Sequence, residues 1–108
     1  MRTEKEVKKQ IEMLKEYKGI LEKNGRGHSG FGDDRVQEAE DNIEILERFI
    51  KGDDVDNMQE EIYAEFEGND EGLMQSGKDK AIQYINDDND DLVCKEDIET
   101  ERKYLAKE

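Results

Sequence analysis

Two stripes of apolar residues at helical spacing constrain the fold of this chain more than any other feature. Val7, Ile11, Leu14 and Leu21 follow one another by steps of four, three and seven, and Val36, Ala39, Ile43, Leu46 and Ile50 by alternating steps of three and four. Each set lies on one side of an α-helix, and such a side is stable only when buried against another element. Lys18 fills the position missing from the first stripe, where its methylenes can line the seam while the ammonium stays in water, and Tyr17 flanks it. Ile45 and Phe49 lie beside the second stripe. The two periods match, so residues 1–51 are predicted to form an antiparallel helical hairpin. The chain contains no proline to interrupt these segments.

Local signals set the ends. Thr3 followed three residues later by Glu6 has the form of a capping box, which starts the first helix near Glu4. Asn24 and Gly25 tolerate the left-handed conformation of a C-cap and are expected to stop it. Asp33 or Asp34 caps the second helix, with Gln37 three residues after Asp34, and Gly52 ends it.

Residues 52–108 read as an acidic helical subregion. Val55, Met58, Ile62 and Phe66 share a helical side, although the run from Glu61 to Phe66 also alternates like a strand, leaving a short strand pair within 61–93 as an alternative. Gly68, Gly72 and Gly77 bracket a polar loop holding Leu73 and Met74, and Ser76 with Asp79 resembles another capping box ahead of Ala81, Ile82, Tyr84 and Ile85. A last helix is predicted to begin between Cys94 and Asp97 and to run through Ile98, Arg102 and Leu105. The expected fold is mostly α: a small single domain, residues 1–108, in which the hairpin is followed by two or three shorter helices.

At 108 residues with 32% hydrophobic and 44% charged side chains, one domain with a modest core is expected. Disordered chains share this composition, but their apolar residues are not periodic. The single cysteine, Cys94, excludes an internal disulfide, and with one histidine in the chain no zinc set can be assembled. Cys94 is expected to be a small, partly buried hydrophobe in a reducing compartment. No apolar run is long enough to span a bilayer, and charged residues follow Met1 where a signal peptide would be apolar. A soluble, cytoplasmic protein without membrane contact is the expectation.

Several motifs fail on their chemistry. Gly25 to Gly32 is glycine-rich, but it lacks the Gly-Lys-Ser/Thr of a phosphate loop, follows a helix where a strand is required, and precedes two aspartates that would repel phosphate. It reads as an interhelical loop; Arg26, His28 and Phe31 could make it a recognition loop. His28 and Ser29 are adjacent, yet neighbours on a glycine loop have no enforced catalytic geometry. Asn86 to Asp91 partly fits a calcium loop, with Asp88 and Asp90 at positions three and five, but Asp91 replaces the glycine at six and Asp97 the glutamate at twelve. The cluster reads as an acidic helix stop whose side chains cap their own backbone. No catalytic, cofactor-binding or dedicated metal site is assigned, and the chain is read as a non-enzyme.

Charge carries the functional reading. Residues 1–30 hold eight Lys/Arg against five Asp/Glu, and residues 31–108 hold nine against twenty-six, giving a net −14. From Gly52 to Gly77 there are nine carboxylates and no basic side chain. Such a chain repels nucleic acid and steers cationic partners toward itself. The basic set Lys5, Lys8, Lys9 and Lys15 reads as a solvated helix side, so direct nucleic-acid binding is not expected. The candidate partner-binding residues are Glu40, Glu44 and Glu47 of the second helix, Asp53, Asp54, Asp56, Glu60, Glu61, Glu65 and Glu67 around the third, and Asp70 and Glu71 beyond it. Helical neighbours three or four apart set carboxylates on a spacing near that of backbone phosphates. These features suggest an inhibitor that occupies the nucleic-acid-binding surface of a basic protein such as a nuclease, in the manner of phage or mobile-element counter-defence (anti-CRISPR) proteins. The alternatives are an adaptor or assembly subunit using the apolar hairpin face, with homodimerisation as one form of it, and a charge that serves only solubility.

Overall fold

The first helix, α1 (Glu4–Lys23), starts where the sequence places it. Thr3 has extended backbone and its hydroxyl oxygen accepts from the Glu6 amide at 3.2 Å. The Glu6 carboxylate accepts from the Thr3 hydroxyl, so only Thr3's half of the box reaches an orphan amide. The computed structural model describes residues 1–24, 35–65, 77–87 and 91–106, apart from the side chains of Glu65, Leu105 and Ala106. Gly25 to Asp34, Phe66 to Ser76, Asp88 to Asp90 and the last two residues lie outside the described part, and with them the predicted glycine loop, the aspartate caps of the second helix and Ser76.

Four further helices follow: α2 (Arg35–Ile50), α3 (Val55–Glu65), α4 (Gly77–Ile85) and α5 (Lys95–Ala106). The fold is all-helical among the described residues, and one apolar core draws on every helix. Lys18 of α1 meets Glu40 of α2 while Lys15 meets Glu47, which fixes the hairpin as antiparallel. Val7, Leu14, Leu21 and Leu46 are almost fully buried, so the apolar stripes are consumed inside the protein. Each such side chain contributes ~1.5–3 kcal/mol, enough to drive the helices together despite their charge.

One stop differs from expectation. Asn24 ends α1 in the right-handed region, φ −80° and ψ −1°, not the left-handed one. Its amide nitrogen still reaches Ile20 O, and its side chain is used elsewhere. The left-handed residue that ends α4 is Asp87, φ 65°, a non-glycine whose short carboxylate tolerates that region.

Gly52 does act as the stop of α2. At φ 102° its amide donates to Phe49 O and the Asp53 amide donates to Arg48 O, the paired bonds of a Schellman turn. The Arg48 and Asp53 side chains pair at 2.8 Å across the same turn. Asp54 then caps α3, its carboxylate accepting from the Asp56 amide at 2.9 Å.

The strand alternative is overturned within the described residues: Glu61–Glu65 and Ala81–Ile85 are helical. Burial explains this. Val55, Met58 and Ile62 face the core at helical steps, whereas Ala64, which a strand would bury along with Ile62, is exposed.

Short α4 is packed on most of its circumference, burying Gly77, Asp79, Ala81, Ile82, Tyr84 and Ile85. Gly77, expected in a loop, is its first residue and presses on α2, where an added Cβ would lie 3.0 Å from Glu38 O. Arg2 closes the other end: its amide donates to Ile85 O, its Nε to Tyr84 O, and its guanidinium stacks 4.2 Å from the Tyr84 ring centre. Cys94, half-buried, precedes α5 and donates from both its amide and its thiol to Asp97, which serves as the local cap.

Candidate protein-interaction surface

The predicted acidic residues divide into two groups once the helices are assembled. Those of α2 are matched by cations from elsewhere in the fold. Glu40 lies 3.3 Å from Lys18, Glu47 lies 3.8 Å from Lys15, and Glu44 lies 3.6 Å from Lys78 of α4. Glu38, which the sequence did not single out, pairs with Lys80 at 2.7 Å. The sequence holds no basic residue within Gly52–Gly77, and for the α2 carboxylates folding supplies lysines from α1 and α4. Lys18 is bonded to both Glu22 and Glu40, and these bonds hold its ammonium above the usual lysine range.

Arg48 gathers the residues at the α2–α3 junction. Its Nε and Nη1 atoms donate at 2.8 Å to Asp53 and Glu61, which raises the guanidinium further and draws the Glu61 carboxyl below the ordinary range. Exposed pairs of this kind contribute roughly 0–1 kcal/mol each, so they mask charge without anchoring the fold.

What stays open is the outer side of α3. Asp54, Asp56 and Glu60 are exposed and, among the described residues, form no ion pair; the helix contains no Lys or Arg. Tyr63, three residues after Glu60, is 48% exposed and accepts a bond from Gln59 at its hydroxyl. Glu65's side chain, Glu67, Asp70 and Glu71 lie outside the described part. The structure therefore brings Asp53, Asp54, Asp56, Glu60 and Glu61 to one helix and its approach, with Glu40, Glu44 and Glu47 on the neighbouring one.

Asp41 behaves differently from these. Burial raises its carboxyl above the ordinary range, partly opposed by a bond from Gln37 at 3.1 Å.

A cleft of about 690 Å³ is lined by residues of α1 and α2, among them Lys15, Lys18, Gly19, Glu40, Glu47 and Arg48. A second opening, about 290 Å³, lies beside Gln10, Tyr84 and Cys94. Among the described residues no three His, Cys, Asp or Glu side chains converge in a way that would hold a metal, and Asp87 of the expected acidic stop faces Arg2 at 3.3 Å. Arg26, His28, Ser29 and Phe31 fall outside the described residues. No described helix is long and apolar enough to cross a membrane.

Two buried polar residues that hold the helices together, Gln10 and Glu101, are not singled out by the sequence. Gln10 is buried, donating to Val93 O at 3.0 Å and accepting from the Leu92 amide at 3.1 Å. Glu101 is buried against Arg35 at 3.0 Å and Asn24 at 2.8 Å. Gln10 lies three residues after Val7 on the first stripe, and Glu101 three after Ile98, so position alone could have marked both.

No family model matches the chain, and comparison with curated proteins and with solved structures likewise yields no match.

Proposed function

We propose that this chain is a binding protein for a cationic partner and acts by occupying that partner's nucleic-acid-binding surface, as a phage or mobile-element inhibitor would. The observation that carries the reading is the contrast between α2, whose carboxylates have internal lysine partners, and the outer side of α3, where Asp54, Asp56 and Glu60 have none among the described residues. A net charge of −14 adds long-range attraction for a basic protein and repulsion of nucleic acid itself. Tyr63 supplies an aromatic contact beside those carboxylates, the kind of residue that anchors interfaces.

Affinity capture from a source extract tests the proposal, followed by competition between the captured protein's nucleic acid and this chain. The expected partner is basic, binds nucleic acid, and is released by that nucleic acid or by raised salt. Asp56→Asn and Glu60→Gln together should slow association while leaving helicity unchanged. Capture that is indifferent both to salt and to this double substitution would falsify the reading.

A further inference from the structure

The five helices do not share the core equally. α4 buries six of its nine residues, whereas of the ten described side chains of α5 only Ile98 and Glu101 are buried. One aliphatic side chain supplies little of the burial that holds a helix in place. α1 packs on α2, α2 on α4 and α3 on α4, so these four close on one another without α5, which lies along α1.

Polar groups make up much of the α5 seam. The Glu101 carboxylate, 7% exposed, is held by Asn24 at 2.8 Å and by Arg35 at 3.0 Å. A buried carboxylate gives back in desolvation much of what its partners supply. The Oδ1 atom of Asn24 is buried with no hydrogen-bond partner among the described residues, a second cost of the docked arrangement. The pair of Arg102 and Glu16 joins side chains 57% and 42% exposed and adds little.

The chain just ahead of α5 is anchored more firmly. Val93 is buried in the core, and Gln10 bonds both the Val93 carbonyl and the Leu92 amide. Cys94, the next residue, bonds forward into α5 through Asp97 and Ile98. The firm anchor therefore ends between Val93 and Cys94.

We infer that α5 is a strap that opens as one unit about the Val93–Cys94 junction while α1 to α4 stay folded. Opening returns the Glu101 carboxylate and the Asn24 Oδ1 atom to water, which offsets part of the lost burial of Ile98. Twelve residues are too few to hold a helix in water without packing, so α5 melts as it leaves. Elements with few buried apolar contacts are the ones that open below the free energy of global unfolding.

Hydrogen exchange on the full chain tests this, read residue by residue by NMR under conditions where exchange follows the opening equilibrium. The amides from Glu99 to Lys103 should share one protection factor, at least about tenfold below those of Ile45, Leu46 and Ile82. Ile82→Val weakens packing that the opened form retains, so it should speed the core amides about fivefold and leave the α5 amides unchanged. Glu101→Gln acts on the docked form alone and should speed both sets by a similar factor, about fivefold. Protection in α5 that fades residue by residue toward the chain end is fraying and overturns the strap. Equal acceleration of α5 and core amides in Ile82→Val means that α5 opens only with the whole protein, which also overturns it. If the α5 amides are indifferent to Glu101→Gln, the polar seam is not what holds the strap and the inference fails.

Discussion

The side-chain amide of Asn24 donates to both oxygens that Glu101 offers it, the carboxylate at 2.8 Å and the backbone carbonyl at 3.1 Å. One residue at the end of α1 is thereby fixed to the last helix, and Arg35, the first residue of α2, binds the same carboxylate at 3.0 Å. Glu101 therefore ties both arms of the hairpin to α5. Removal of the carboxylate takes one acceptor each from Asn24, which keeps the Glu101 carbonyl, and from Arg35, which is 45% exposed and can turn to water. Glu101→Ala is expected to cost about 2 kcal/mol and Glu101→Gln about 1 kcal/mol. Urea unfolding followed by circular dichroism measures both; a midpoint unchanged in Glu101→Ala would show that the tie carries no weight.

Gln10 spans to the segment ahead of α5, donating to the Val93 carbonyl and accepting from the Leu92 amide. In Gln10→Leu the side chain keeps its bulk and loses both bonds. The expected loss is about 1–3 kcal/mol, since the Val93 carbonyl is left unsatisfied in a buried setting. Hydrogen exchange at the Leu92 amide should accelerate beyond what the global destabilisation explains. Equal acceleration at core amides of α1 and at Leu92 would argue for general loosening instead.

The two glycines Gly19 and Gly77 are expected to respond oppositely to alanine. An added Cβ at Gly19, in the interior of α1, would meet nothing within 4 Å, so Gly19→Ala should raise the Tm by a few degrees. A Cβ at Gly77 would lie 3.0 Å from Glu38 O, 3.1 Å from Asp41 Cβ and 3.2 Å from Glu38 Cα. Two of these atoms belong to the α2 backbone and cannot move without displacing the helix. Gly77→Ala should cost about 1–3 kcal/mol by overpacking. Thermal melts of the two alanine variants decide this, and a stabilised Gly77→Ala would mean that α4 sits farther from α2.

Two carboxylates should shift stability with pH in opposite directions. Glu61 is held below its ordinary pKa by Arg48, so its contribution is present above the unfolded value and is lost as pH falls through the folded one. Asp41 is raised by burial; its contribution is present below its unfolded value and is lost as pH rises through the folded one. Asp41→Asn should therefore stabilise the protein at neutral pH, with the gain shrinking in acid, and Glu61→Gln should flatten the acid decline across roughly pH 5 to 3. Carboxyl NMR titrations alongside Tm against pH supply the measurement. A Glu61 that titrates at or above the ordinary glutamate value would contradict the Arg48 bond.

Much of the helical layout could be read from local chemistry. Thr3 marks the start of α1, Gly52 the end of α2, and the steps joining Val55, Met58 and Ile62 describe a side that is in fact buried. The Glu61–Phe66 ambiguity arose because six residues cannot separate a period of two from one of 3.6 when aromatics favour both. Packing removed it by leaving Tyr63 and Ala64 outside within the described part. Gln10, Glu101 and Arg2 escaped notice because their value depends on remote partners: Val93, Asn24 and the carbonyls of Tyr84 and Ile85.

By itself the sequence determined where α1 and α2 form, that they pair, and that the chain is strongly acidic, because capping, periodicity and net charge are properties of neighbouring residues and of sums. Only the tertiary structure decided which carboxylates remain open. Lys15 and Lys18 reach Glu47 and Glu40, Lys78 and Lys80 reach Glu44 and Glu38, and none of these is a neighbour in the chain. Coulomb attraction depends on distance in space, so folding masks the α2 carboxylates and leaves Asp54, Asp56 and Glu60 at α3 without an ion pair among the described residues.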